Sequence, residues 1–434
     1  MRAGRRSMAG VSLGGVLLLF GCSPSMAPSS DGAGGSGGVP TATGGAASGG
    51  SSASGGSPSV GGTPSSGGTT ASGGQTSLTG GAPATGGGPP LEPVTFDLME
   101  EVVFYDAYAD TSSEPAPEGV VRLTNDLFTT RLSDDQLAQI QPHLQLDVQI
   151  GALCDNYDRI GSVRLALTPK GAESYDPDEV PHLELGRFIT PFMDKNAQPD
   201  VVPYTWDIDH IAAVLQSPAV QAEYDFWFEL SVFGVPYAAN DEVAGCDGRS
   251  DVFRGWLSLS TDSTLPARDI DVLLPLAFED PFNDYQAGAS DAVGMTTKTL
   301  EFELDGAIED AEVVFILSHH GANSGGEEYE RRQHFVELDG EPVLDFTPGR
   351  SSCEPFRMYN TQGNGIYGQT PRSDEDWQSF SNWCPGDVID IRHIPWGSVA
   401  AGSHDFVIDV PDAVFTGDEG NFPLSVFVIG RSAP

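Results

Sequence analysis

The sequence predicts an all-β fold: two β-sandwich or jelly-roll domains behind a long disordered linker. Three observations predict it. From Leu91 onward, short apolar or alternating segments recur between turns rich in Gly, Pro, Asn and Asp, which is the pattern of many short strands. Helical periodicity is scarce in the same region, and no repeat of solenoid period is visible. The 53 glycines and 32 prolines are concentrated toward the N-terminus rather than spread through the 434 residues.

Taken in order, the chain opens on an export signal. Arg2, Arg5 and Arg6 form a basic start, and Val11 to Phe20 is an apolar run too short to span a bilayer. It ends Leu19-Phe20-Gly21-Cys22, which resembles a bacterial lipobox and implies lipidation of Cys22. The expectation is an exported lipoprotein of the outer membrane or cell surface. Residues 23–90 are almost wholly Gly, Ser, Thr, Ala and Pro. They bury too little apolar surface to offset backbone entropy and read as a flexible tether.

The folded part is expected as an N-terminal domain over 91–265 and a C-terminal domain over 266–434, divided near Ser260 to Arg268. Val163, Leu165 and Leu167 alternate with Arg164 and Ala166. Phe226, Phe228, Leu230 and Val232 alternate with Trp227, Glu229 and Ser231. Val313 to Leu317 is continuously apolar, and Leu424 to Ile429 closes the chain as another strand. Ser133 to Ile140 and Ile211 to Leu215 suit short helices. Parity places Asp158 with Ser162 and Arg164, and Glu229 with Trp227 and Ser231, on the faces opposite the apolar residues. Composition alone reads these two acids as ordinary solvent-facing carboxylates.

Charge and cysteine content narrow the function. A net charge of −41, from 62 acidic against 21 basic residues, argues against nucleic acid and against an electrostatic grip on anionic membranes, since both require a basic face. With Cys22 lipidated, Cys154, Cys246, Cys353 and Cys384 remain. Their spacing fits no zinc knuckle or redox motif, so disulfides are expected in an exported protein. Of three possible pairings, Cys154–Cys246 and Cys353–Cys384 is favoured, one staple in each half.

Two blocks carry a family resemblance. Cys154-Asp155-Asn156-Tyr157-Asp158-Arg159, followed by Leu185-Gly186-Arg187-Phe188-Ile189-Thr190-Pro191-Phe192, resembles the peptide-N-glycosidase F family in order and spacing. Trp383-Cys384-Pro385-Gly386 matches a further family segment, with Cys353 placed like the disulfide partner. The resemblance implies two eight-stranded antiparallel jelly rolls side by side, an active site at their interface, and no cofactor or metal. It implies an amidase that cleaves the asparagine side-chain amide of N-glycosylated proteins or glycopeptides, leaving aspartate and releasing the glycan as a glycosylamine. The protein is expected to act as a monomer.

Carried over residue by residue, Asp158 takes the position of the principal catalytic aspartate, with Arg159 beside it and Tyr157 where the family has tryptophan. Glu229 takes the position of a sugar-binding glutamate. In Glu327-Glu328-Tyr329-Glu330, followed by His334, the spacing picks Glu328 as the second catalytic carboxylate, with Glu327 as the alternate. Tyr157, Arg159, Trp227, Tyr329, His320 and Trp383 are the substrate-lining candidates. The chain departs from the family where Gly326 and Glu330 replace flanking cysteines, where the loop before Glu328 is shortened, and where Phe380 replaces an arginine.

The chemistry requires such residues. Amide hydrolysis needs an activated water and a proton for the leaving nitrogen, and two carboxyls pushed apart in pKa divide those tasks. His319, His320 and His334 invite a metal reading, but adjacent histidines on an extended strand point to opposite faces. There is no nucleophile-elbow serine motif and no phosphate-binding glycine loop. The rival reading from another class is a non-catalytic glycan- or glycoprotein-binding surface protein on the same scaffold.

Overall fold

A computed structural model describes residues 92–282, 291–321, 327–363, 366–379, 382–415 and 420–434. The expected leader, Cys22 and the linker to residue 90 lie outside the described residues, as do Gly326 and Phe380. Among the described residues, no helix is long and apolar enough to cross a membrane.

The first half contributes β1 (Val94–Tyr105), β2 (Val121–Arg122), β3 (Leu127–Arg131), β4 (His143–Ala152), β5 (Ile160–Pro169), β6 (His182–Ile189), β7 (Val201–Asp207), β8 (Tyr224–Val232) and β9 (Asp251–Asp262). The second contributes β10 (Val272–Phe282), β11 (Thr297–Leu304), β12 (Ile308–Leu317), β13 (His334–Leu338), β14 (Glu341–Phe346), β15 (Val388–Ile389), β16 (Ile391–Val399), β17 (Gly402–Asp409) and β18 (Phe422–Ser432). They form four antiparallel sheets, ordered β1-β9-β4-β7, β15-β6-β5-β8-β3-β2, β10-β18-β12-β16 and β11-β17-β13-β14. The arrangement is a double jelly roll with one exchange: β15, from the second half, pairs with β6 of the first through Val388↔Phe188 and Ile389↔Arg187.

The expected helices form. α1 (Asp134–Leu137) begins at Ser133, whose hydroxyl accepts from the Gln136 N–H while the Gln136 side chain returns to the Ser133 N–H. α2 (Asp209–Gln216) buries Ile211, Ala212, Val214 and Leu215. β9 runs to Asp262, and β10 begins at Val272.

Period-2 alternation fixes the cores. Val163, Leu165 and Leu167 of β5, with Phe226, Phe228, Leu230 and Val232 of β8, meet Leu146, Val148, Ile150, Leu257 and Leu259 across the first sandwich. Val313, Phe315, Val336, Phe406, Ile408, Leu424 and Val426 fill the second. Close packing leaves specific positions open only to glycine. A Cβ on Gly161 would stand 2.2 Å from the Phe188 ring, and one on Gly186 would stand 2.7 Å from Trp206. Gly161→Ala is therefore expected to destabilise the protein by about 1–3 kcal/mol, measured by urea unfolding; an unchanged midpoint would contradict this packing.

The polar face of β5 and β8 overturns one expectation. It is not solvent-facing. Phe278 and Glu279 of β10 cover its Arg164 end, Tyr175 and His182 close over Glu229, and Glu229 is fully buried. A bulge in β10 places Glu279 in the left-handed region (φ 45°), and its carboxylate reaches Ser162 Oγ (3.2 Å) and Arg164 Nη2 (3.0 Å). At the centre, Arg187 makes a two-pronged pair with Glu184 (2.8 and 2.7 Å) and donates to Ser318 Oγ (2.7 Å) and the Pro423 carbonyl (2.8 Å). Ser425 Oγ donates to Glu184 (2.5 Å), so side chains from both halves satisfy one buried charge pair.

Candidate active site

Each half presents one carboxyl to the boundary. The first stands on the loop from Cys154 to Arg159. Cys154 is bonded to Cys246, and Cys353 to Cys384, as expected. Asp155 is fixed within the loop: its carboxylate accepts from the Tyr157 N–H (3.0 Å), Arg159 Nε (2.7 Å) and the Val235 N–H (2.8 Å). The loop is clamped again by Thr190, whose hydroxyl accepts from the Arg159 N–H (2.7 Å) and donates to the Tyr157 carbonyl (3.2 Å). Thr190 belongs to the Gly186-Arg187-Phe188-Ile189-Thr190-Pro191 segment, so that block braces both neighbours of Asp158.

Asp158 is half-buried. Desolvation pushes its carboxyl up to about 7 and the Asp155 charge adds to the rise, against the pull of Arg159 and a backbone hydrogen bond. Arg159 thus acts on Asp158 through its charge, while its Nε and Nη2 bind Asp155. Tyr157 packs on Phe192 at 5.8 Å between ring centroids, with the Arg159 guanidinium 5.4 Å from its own ring.

The second carboxyl is Glu328, which is 4% exposed. Its Oε2 accepts from the Gly321 N–H (3.0 Å), and Asn382 Nδ2 donates to the carbonyls of Glu327 (2.8 Å) and Glu328 (2.7 Å). Burial first, and then the charge of Asp158, raise Glu328 to about 8, partly offset by hydrogen bonds from Tyr329 and Gly321. The Asp158 charge thus reaches Glu328 from the other half. Glu327 points elsewhere: Arg332 grips it at 2.7 and 2.9 Å, and the Val414 N–H donates to it. Glu328 feels the Asp158 charge, whereas the Glu327 carboxylate is taken up by Arg332 and the Val414 N–H.

Glu229 is not part of this pair. It neighbours Arg164 across β5 and β8, four residues into the strand, roughly 13 Å from where β5 begins. Tyr175 donates to its Oε1 (2.6 Å), and His182 Nε2 lies 3.2 Å from the same atom. Burial would raise its pKa, but His182 and Arg164 hold it below the ordinary value. Its Oε2, like the Nε1 of Trp227 two positions before it, is buried without a hydrogen-bond partner. Trp227 packs edge-on to Tyr175 at 5.4 Å, in the Glu229 cluster rather than beside Asp158.

His320 and Trp383 are buried behind Glu328. His320 Nε2 lies 2.6 Å from Ser318 Oγ, and burial with the Arg187 charge holds the imidazole down at about 3. Trp383 packs with Ile189, Ile316 and Ile389 and donates Nε1–H to the His319 carbonyl (3.0 Å). His319 and His320 do face opposite ways, His319 stacking on Phe422 at 3.6 Å. Among the described residues, no group of three or more His, Cys, Asp or Glu is placed to hold a metal ion.

Sequence reasoning missed Thr190, Asn382 and Tyr367. Tyr367 is buried, and its phenol is pushed up by desolvation, with the Asp158 charge among the smaller contributions. Thr190 and Asn382 lie inside or beside the quoted motifs, which was the available signal. Tyr367 carried none.

Two family models match the chain: "Peptide-N-glycosidase F, N terminal" over residues 95–248 and "Peptide-N-glycosidase F, C terminal" over residues 289–429. No curated protein sequence matches the chain. Among solved structures, PNGF-II is similar in two crystal forms, with TM-scores of 0.57 and 0.55 at 19% identity, covering 79% of this chain. The chain spans just under two thirds of PNGF-II, 66% and 65%. PNGase F, a glycosylasparaginase from Flavobacterium meningosepticum, is similar at 14% identity and a TM-score of 0.48, covering 79% of this chain and 96% of that one. The likeness to PNGF-II describes the fold.

Proposed function

Because the chain belongs to the peptide-N-glycosidase F family, we propose that it hydrolyses the side-chain amide of glycosylated asparagine in N-glycosylated proteins or glycopeptides. The observation that supports this most strongly is the Asp158–Glu328 pair, one carboxyl near pKa 7 and the other near 8, supplied by opposite halves. Such a pair holds one charge and one proton near neutral pH.

In this reading Asp158, ionised, accepts a proton from water as the water oxygen attacks the amide carbonyl carbon. Glu328, protonated, donates to the side-chain nitrogen as the carbon–nitrogen bond breaks. Aspartate remains on the peptide, the glycan leaves as a glycosylamine, and the proton on Asp158 returns to Glu328 through solvent. Tyr157 and Tyr329 flank the two acids and line the substrate. His320 and Trp383 form the wall behind Glu328. Glu229 and Trp227 serve a more distant sugar contact, reached where Tyr175 covers them. No metal takes part.

The reading extends to an exported lipoprotein anchored through Cys22, acting as a monomer, with domains over 91–265 and 266–434. Among the described residues, β15 is the strand that pairs from the second of these domains into a sheet of the first. The test is incubation of the protein with a denatured N-glycosylated protein, with and without EDTA, followed by mass spectrometry. Conversion of glycosylated asparagine to aspartate, unaffected by EDTA, is expected. Intact glycosylation together with measurable glycan binding would replace the enzyme with a glycan-binding protein.

A further inference from the structure

We propose that His319 and His334 form a hydrogen-bonded imidazole latch that fixes the backbone around Gly321 and Trp383 and thereby positions the Glu328 carboxyl for its work with Asp158. The inference rests on the acid–base reading of those two carboxyls. His319 follows the end of β12 and His334 opens β13, so they stand at the two ends of the segment that bears Glu328. Their Nε2 atoms are 2.8 Å apart. Both rings are buried, His319 at 1% exposure and His334 at 0%.

The tautomers follow from the geometry. His334 Nδ1–H donates to the Arg332 carbonyl (2.9 Å), which leaves its Nε2 as a lone pair. His319 must then supply Nε2–H. Two protonated rings would set two N–H groups against each other, so the contact requires at least one uncharged imidazole. Burial enforces this: it lowers both rings, His334 to about 3. The neighbouring Arg332 and Arg392 guanidiniums and the His320 ring act in the same direction, and carbonyl contacts oppose them.

Both rings are also held in plane. His319 stacks on Phe422 (3.6 Å) and His334 on Phe346 (4.6 Å). From His319 the connection to Glu328 is short. The His319 carbonyl receives Trp383 Nε1–H, and the preceding Asn382 holds the Glu328 carbonyl. Two residues after His319, the Gly321 N–H donates to the Glu328 carboxyl itself. Neither histidine touches the reacting atoms; both are positioning residues.

The test uses His334→Phe, which keeps a ring on Phe346 but removes the acceptor, and His334→Gln, whose side-chain oxygen can accept from His319. For His334→Phe, kcat is expected to fall about 100-fold with KM changed less than about 2-fold. The alkaline limb of its pH profile is expected to move down from about 8, as Glu328 leaves its buried site. His334→Gln should recover most of kcat. An unmoved limb with unchanged kcat in His334→Phe, or no recovery in His334→Gln, overturns the proposal. If His334→Phe does not fold, nitrogen-15 NMR of histidine-labelled wild-type protein decides. Two neutral rings from pH 5 to 8 with one N–H shared between Nε2 atoms support the latch, and either ring titrating near 6.5 removes it. The NMR readout needs no turnover, so failure of the enzymatic reading and failure of the latch are distinguishable.

Discussion

Asp158→Asn is expected to lower kcat/KM by about 10²–10⁴-fold, the usual contribution of a positioned acid–base group, while the protein stays folded. The substitution preserves shape but cannot accept the proton of the attacking water. Stability separates a catalytic loss from a folding defect. Asp158 titrates near 7 in the folded protein, well above the ordinary aspartate value in the unfolded chain. Folding therefore favours its protonated form. The stability linked to this group is full below the unfolded pKa and is lost as pH rises through about 7. The wild type should accordingly lose stability relative to Asp158→Asn between about pH 4 and pH 9, chiefly below about 7, so that the inactive variant melts at the same or a higher temperature at pH 9. Thermal melts at both pH values check this. A variant that melts lower at pH 9 would mean that Asp158 stabilises the fold as an ion, and that its charge is not held at a cost for chemistry.

Arg187→Ala is expected to cost about 3–5 kcal/mol of folding stability, because it leaves the buried Glu184 charge without its partner. Arg187 is 1% exposed and binds groups from both halves, Glu184 on one side and Ser318 with the Pro423 carbonyl on the other. Activity should fall in parallel, since Arg187 reaches His320 through Ser318 and the same boundary sets the distance between Asp158 and Glu328. The double variant Arg187→Met/Glu184→Met removes both charges and should recover much of the loss in urea unfolding. If Arg187→Ala unfolds at the wild-type urea concentration, the pair is not what joins the halves.

The parts of this organisation that were legible in the sequence are those written in local pattern. Alternation in β5 and β8 gave their buried faces. Ser133 and Gln136 marked the start of α1. Asp158 and Glu328 were singled out only through the resemblance to the peptide-N-glycosidase F family, carried by Tyr157-Asp158-Arg159 and by the spacing of Glu328 before His334. What local pattern could not supply is what lies on the far side of a strand. Parity correctly set Glu229 opposite the apolar residues of β8, but Tyr175 and His182 over Glu229, and Phe278 and Glu279 of the second sandwich over Arg164, make that side a dry, charged interior. Arg187 was visible as part of a motif, and its partners Ser318 and Pro423 stand more than a hundred residues away. The transfer of β15 to the first half's sheet and the contact between His319 and His334 likewise depend on tertiary approach.

The most direct measurement of the central claim is the pH dependence of kcat/KM on an N-glycosylated peptide, for the wild type and for Glu328→Gln. With one carboxyl near 7 that must be ionised and one near 8 that must be protonated, the wild-type profile is expected to be a narrow bell between those values. Glu328→Gln should be slower, should lose the alkaline limb, and should keep an acid limb moved below 7 only slightly, because burial rather than Glu328 raises Asp158. A wild-type profile flat from pH 5 to 9, or an alkaline limb that survives in Glu328→Gln, would contradict the assignment of a shared proton to this pair.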